Sequence, residues 1–159
     1  MGGLADIVRQ ARPDVAVTES FGPALDARVQ SAQATWRDVK LDPDGFVRHL
    51  ATRLEPPLAQ LDQLHVEDLY LAYGCMEGVP AAHEAFDRAH GAGIDLVISA
   101  AGLDPSSGMR ARVRERLIIK IGDAPPKIAT YAGKGSLGSW VRIFALREGQ
   151  RLVAQDAQR

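Results

Sequence analysis

Apolar residues recur along most of this chain at helical spacing. In Gly22–Val39, Leu25, Val29, Ala32 and Trp36 are separated by four, three and four residues, the period of one helix face. Asp42-Pro43 supplies an N-cap residue followed by proline at the first helical position, and Phe46, Leu50 and Leu54 line one stripe until Pro56-Pro57. His65–Glu77 places Val66, Leu69, Tyr70, Tyr73 and Met76 on one face and ends at Gly78. Pro80–His90 and Ile94–Ala101 read as two shorter helices separated by Gly91-Ala92-Gly93, and Asp104–Gly108 reads as a loop and cap. The next helix, Met109–Ile121, buries Met109, Val113, Leu117 and Ile121 and turns Arg110, Arg112, Arg114 and Arg116 outward. Gly122–Gly135 is a loop of about fourteen residues, long for a compact domain, with Ile128 and Tyr131 as its anchors to the core. The last helix begins near Ser136 and runs to about Gln155, with Leu137, Trp140, Val141, Phe144 and Ala145 as its buried stripe.

The pattern predicts an all-α helical bundle. An irregular stretch near Pro56–Leu64 divides it into an N-terminal helical extension, residues 1–64, and a main domain, residues 65–159. Low aromatic content leaves the core to Leu, Val, Ile and Ala, which favours helices over a β-sandwich. Cys75 stands alone, so neither an intrachain disulfide nor a cysteine-based zinc site can form. Met1–Val8 lacks the basic and apolar pattern of a leader, and Ile94–Leu103 is too short to span a bilayer. A cytoplasmic protein with no membrane partner is expected.

Charge changes the picture. Residues 1–108 hold 8 Lys/Arg against 16 Asp/Glu, whereas residues 109–159 hold 11 against 4. Such asymmetry points either to a polyanion-binding face or to basic and acidic parts that pack on each other. Four arginines at every second position repel one another unless something anionic lies opposite.

Candidate catalytic chemistry is thin, and no enzyme is expected. Ala132-Gly133-Lys134-Gly135-Ser136 resembles a fragment of a phosphate loop, but Gly follows the lysine and no strand precedes it. His83, Glu84, Asp87 and His90 share a helical face, yet no second carboxylate–histidine helix exists to complete a metal site, so a solvated polar face is expected. No nucleophile elbow or paired-carboxylate motif appears. Neither a metal nor a cofactor is implied. Trp140, on the apolar stripe, reads as a core anchor rather than a base-stacking platform.

Three segments carry a family pattern. Glu77-Gly78-Val79-Pro80-Ala81-Ala82-His83-Glu84-Ala85-Phe86 is similar to a Gly-Asp-Pro-Ala-Ala-x-x-x-Phe helix opening. Tyr131-Ala132-Gly133-Lys134-Gly135-Ser136-Leu137-Gly138-Ser139-Trp140-Val141 is similar to Phe-x-Gly-Arg-Gly-Ser-Leu-x-x-Trp-Leu, and Arg142–Arg147 then stands for Tyr-Arg-Ile-Ala-Arg-Asn. Val113-Arg114-Glu115-Arg116-Leu117 lies between them. In these features the last 80 or so residues resemble region 2 of bacterial RNA polymerase sigma factors, in particular the extracytoplasmic-function group.

The resemblance implies a domain that docks on the clamp helices of the largest subunit of core RNA polymerase. It also implies capture of the −10 element of promoter DNA, with a base of the non-template strand flipped into the loop before the last helix. Lys134 and Ser136 would touch that strand, Tyr131 and Trp140 would support the loop, and Arg142, Arg147 and Arg151 would contact phosphate or base edges. Arg112 and Arg116 would face polymerase, and an anti-sigma or other regulatory protein would be a further partner.

One departure motivates an alternative. Gly108-Met109-Arg110-Ala111-Arg112 stands where the family carries an acidic Asp-Leu-Val-Gln-Glu segment, which reverses the charge of the polymerase-facing surface. The alternative is a degenerate sigma-like protein-interaction module without promoter binding. An extension folded over the basic face would make either form autoinhibited.

Overall fold

The computed structural model describes residues 3–104 and 108–158 of the 159-residue chain. Its elements are α1 (Leu4–Ala11), α2 (Phe21–Thr35), α3 (Pro43–Ala51), α4 (Val66–Met76), α5 (Pro80–Ala100), α6 (Met109–Ile118), a 3-10 turn (Lys127–Thr130) and α7 (Leu137–Ala157). Among the described residues there is no β-strand, only the isolated bridges Ala16–Leu58 and Ile121–Ala124. The all-α expectation therefore holds. No helix among the described residues is long and apolar enough to cross a membrane.

At the centre lies α4, which buries Val66, Leu69, Tyr70, Leu71, Ala72, Gly74 and Cys75. The sequence pattern assigns it one apolar face, but these residues cover its whole circumference, as expected of a helix enclosed by others. Helices α2, α3 and α5 and the 3-10 turn all pack on it. Edge-to-face packing of Phe46 on Tyr70, ring centroids 5.1 Å apart, joins α3 to it, and the Tyr70 hydroxyl donates to the Val39 carbonyl at 2.7 Å. One apolar cluster runs from Val8 through Leu25, Phe46 and Leu69 to Val141, so the core is continuous across the Pro56–Leu64 stretch.

Local signals explain the helix ends. Asp42 caps α3, accepting from the Asp44 and Gly45 amides, and Pro43 begins the helix. Arg12 satisfies the other end of α3 by donating to the Ala51 and Leu54 carbonyls at 2.9 and 2.7 Å. Helix α2 stops at Thr35, four residues short of the expected Val39 and just before Trp36 of the expected stripe. There the indole N–H donates to the Glu67 carbonyl at 2.9 Å, and Trp36 serves as a strut to α4 rather than a helical knob.

Several expectations are corrected. Helix α1 has no counterpart in the pattern; at eight residues it spans just over two turns, and only Val8 is fully buried. Gly91-Ala92-Gly93 does not break the chain, because α5 is a single helix of 21 residues. Its glycines mark close approach instead. A Cβ on Gly91 would run into the Arg110 guanidinium of α6, and one on Gly93 would touch Arg142 of α7 at 3.9 Å. Helix α6 ends at Ile118, so Ile121, expected in the core, is 53% exposed. Within the expected loop and cap Asp104–Gly108, residues 105–107 lie outside the described residues, while Gly108 takes φ +85°.

Two glycines on helix interiors should respond oppositely to alanine. At Gly74 a Cβ would sit 2.7 Å from the Ala82 Cβ and 3.2 Å from Val39, both in rigid packing, so Gly74→Ala should cost about 1–3 kcal/mol. At Gly91 the obstacle is the tip of a flexible arginine. The gain in helix propensity, up to ~1 kcal/mol, offsets a lost surface ion pair of ~0–1 kcal/mol, so Gly91→Ala should stay within about 1 kcal/mol of the parent. Urea denaturation of both variants measures the contrast; equal losses would contradict this packing.

Candidate nucleic-acid interface

The segment before α7 is a loop held from three directions. Ile128 and Tyr131 are buried in the core. Gly133 adopts φ +77° and rests on α4, where an added Cβ would lie 2.7 Å from Leu69 Cδ1, and its carbonyl accepts the His65 amide at 2.8 Å. From the extension, the Arg53 guanidinium donates to the Ala129 carbonyl at 2.6 Å and to the Tyr131 carbonyl at 3.0 and 3.2 Å. Burial lowers the pKa of Arg53, and among the described residues it has no carboxylate partner.

Two caps then start α7. The Ser136 hydroxyl accepts the Ser139 amide at 3.2 Å, and Asp68 of α4 accepts the Leu137 amide at 2.9 Å. A carboxylate at a helix N-terminus is favoured by both the free amides and the helix dipole. Packing against α5 fixes the direction of α7: His90 lies near Gly138, Gly93 near Arg142, and Leu103 near Gly149. The ascending order makes α5 and α7 parallel. Gly149 thus has a structural reason, since a Cβ there would meet Leu103 at 2.8 Å.

Along α7 the fully buried positions are Leu137, Val141, Ala145, Glu148, Gly149 and Leu152. Trp140 and Phe144, expected on that stripe, are only partly buried. Their rings stack with centroids 6.0 Å apart and planes 12° from parallel, and Trp140 lies 5.7 Å from the Tyr131 ring. The pair lines an open cleft of about 600 Å³ together with Lys127, Thr130, Ile143, Arg147, Glu148 and Arg151. Trp140, Phe144, Arg147 and Arg151 recur at four, three and four residues, so one side of α7 presents both aromatic surface and positive charge.

Glu148 adds a buried carboxylate to that cleft. It is 5% exposed and receives Arg151 through two hydrogen bonds, 2.5 and 3.0 Å, with Arg116 at 3.5 Å. The Arg151 hydrogen bonds hold its pKa below the usual carboxylate value despite opposing desolvation. Each arginine of α6 has such a partner: Arg110 with Asp95, Arg112 with Asp156, Arg114 with Asp87 and Arg116 with Glu148. The anionic groups opposite these arginines belong to α5 and α7 of the same chain.

The sequence-expected site residues therefore separate. Arg147 and Arg151 share the aromatic cleft with Trp140. The Arg147 side chain makes no hydrogen bond or ion pair among the described residues. Lys134 lies in a neighbouring cleft, 3.3 Å from the Arg53 carbonyl and 3.4 Å from Glu55. The Ser136 hydroxyl is occupied by capping, and Arg142 turns to α5 and to the Ser139 hydroxyl at 3.3 Å. Arg112 and Arg116 are half-exposed within their ion pairs. Sequence reasoning missed Lys127, Thr130, Arg53 and Glu148. The four-three-four spacing on α7 is the signal that could have indicated the cleft; Lys127 and Thr130 join it from the non-periodic 3-10 turn, and Arg53 reaches the loop from a distant segment.

The polar face of α5 also differs from the solvated one expected. His83 Nε2 lies 3.1 Å from the Cys75 carbonyl, Asp87 binds Arg114, and His90 packs against Phe86 at 5.2 Å. Among the described residues no group of three or more His, Cys, Asp or Glu could hold a metal ion. The extension reaches the loop through Arg53 and Glu55, but every residue lining the aromatic cleft comes from 127–151, so that cleft stays open. No family model matches the chain, and neither a curated protein nor a solved structure matches it.

The loop geometry yields a sharp contrast. Gly133→Ala combines a left-handed backbone with a clash on Leu69 and should destabilise by about 2–4 kcal/mol. Gly135 has open space and no positive φ, so Gly135→Ala should shift stability by about 0.5 kcal/mol at most. Thermal and urea unfolding of the two variants measure this directly.

A pH dependence follows from the histidines. Burial, reinforced by the Arg53 charge, lowers the His49 pKa from 6.5 to about 4, and burial also lowers that of His90. Such groups take up protons first in the unfolded chain, so stability is full above 6.5 and is lost as pH falls toward 4. The urea midpoint should decline across that window, and His49→Gln should flatten the decline; an unchanged slope would refute the assignment.

Proposed function

We propose that this chain is a sigma-factor-like transcription-initiation module. In this reading it binds the melted non-template strand of a −10 promoter element and core RNA polymerase through its clamp helices. The observation that carries the reading is the cleft on α7, where a stacked and partly exposed Trp140–Phe144 pair shares the lining with Lys127 and Arg147. Unpaired bases have accessible π-faces, and stacking on an aromatic side chain is worth about 1–3 kcal/mol per base. Cations in the lining supply a salt-dependent hold on the sugar-phosphate backbone. A duplex hides its base faces and cannot use the aromatic pair. Arg147 and Trp140 are the residues on which affinity rests in this reading, with Arg151 partly neutralised by Glu148.

A specific observation supports a second reading, the protein-interaction module. The arginines that would meet polymerase are paired with carboxylates of the same chain, and α7 exposes Leu146 and Val153 outside the cleft and Ile143 within it. That surface suits a protein partner without requiring DNA.

Fluorescence anisotropy with a labelled −10-like oligonucleotide tests the first reading. Single-stranded DNA should bind more tightly than duplex, and Trp140→Ala/Arg147→Ala should weaken it by at least about tenfold. Wild-type affinity in the double variant would rule the reading out. A pull-down of core RNA polymerase with and without the oligonucleotide separates the second reading, which expects a stable protein complex indifferent to DNA.

A further inference from the structure

A second cleft, of about 400 Å³, opens between the end of α3 and the loop, lined by Thr52, Arg53, Glu55, Thr130 and Lys134 among others. Thr130 lines this cleft and the aromatic one, so the two meet at one residue. Its charges are unevenly compensated. Arg53 spends its Nε and Nη2 donors on the Ala129 and Tyr131 carbonyls and one Nη1 hydrogen on the Thr52 hydroxyl, leaving one N–H without an acceptor. These acceptors are neutral, so the guanidinium charge stays uncancelled in a partly buried place. Lys134 stands beside it with only Glu55 as counter-ion, and that glutamate side chain is 69% exposed at 3.4 Å. Exposed pairs of this kind are held weakly.

We infer that this cleft is a phosphate-binding subsite formed jointly by the extension, through Arg53, and the loop, through Lys134. It takes one phosphate, which displaces Glu55 from Lys134, meets the free Arg53 N–H and lies within the same groove as the Thr130 hydroxyl. Its place beside the aromatic cleft suits the phosphodiester next to a base held on Trp140, and this extension to a strand rests on the strand-binding reading proposed above. The phosphate site itself does not. The extension then contributes to the binding face instead of shielding it.

Two measurements on the full chain test the subsite separately from the strand reading. In amide NMR, inorganic phosphate should shift the resonances of Arg53, Thr130 and Lys134, whereas sodium chloride at equal ionic strength should not. Lys134→Ala should abolish the shifts, and Arg53→Lys, which keeps the charge but loses the fork, should reduce them. In anisotropy with labelled hexathymidylate, Lys134→Ala should weaken binding about fivefold to tenfold and lower the salt slope by about 0.7. Phosphate-specific shifts with no hexathymidylate binding would sustain the subsite and reject the strand reading. Hexathymidylate binding that is unchanged in both variants, without phosphate-specific shifts, would overturn the subsite and leave the strand reading standing. Absence of both signals would reject both.

Discussion

A single hydrogen bond, from the Leu137 amide to the Asp68 carboxylate at 2.9 Å, ties the last helix to the first turn of the buried central one. The same turn supplies the His65 amide to Gly133 and the Leu69 side chain on which Gly133 rests. Loop and helix therefore share a foundation. With the start of α7 fixed there and its length laid parallel to α5, the angular position of every later residue follows from helix geometry. Trp140, Phe144, Arg147 and Arg151 face the cleft because Leu137, Val141 and Ala145 cannot leave the core. The polar site depends on an apolar constraint one turn away.

Electrostatics divides the basic C-terminal part into two populations. The arginines of α6 meet carboxylates on α5 and α7, which accounts for how so dense an array folds without self-repulsion. The three pairs made with aspartates are half-exposed and contribute about 0–1 kcal/mol each, so they orient α6 more than they stabilise the fold. Arg147 lies outside this lattice. Sequence asymmetry alone leaves two explanations open, and both have a place: acidic and basic parts pack together at α6, while positive charge remains at the aromatic cleft.

Much of the fold was legible where a signal was local. Asp42-Pro43 marks the start of α3, Ser136 the start of α7, and the four-residue spacings of Met109–Leu117 and Leu137–Ala145 mark buried stripes. Errors arose where tertiary approach overrode local preference. Gly91 and Gly93 read as helix breakers, yet they admit Arg110 and Arg142 to the surface of α5. Trp140 is apolar enough to read as core, but it and Phe144 are only partly buried and line an open cleft. The candidate site was legible only in its α7 half. Arg53 lies about 80 residues before the loop it holds, and no periodicity connects residues that far apart.

Glu148 gives the aromatic cleft a built-in competitor. Because Arg151 already holds a carboxylate in two hydrogen bonds, an anionic guest at that position must exchange one negative partner for another. Exchange leaves the number of ion pairs unchanged, so charge attraction there yields little net gain. Discrimination among guests then passes to the stacked rings, which respond to shape and flatness instead of charge. A polyanion without a planar group would meet only Lys127 and Arg147 as open charges here, and residence would be set by the fit of a planar group against Trp140 and Phe144.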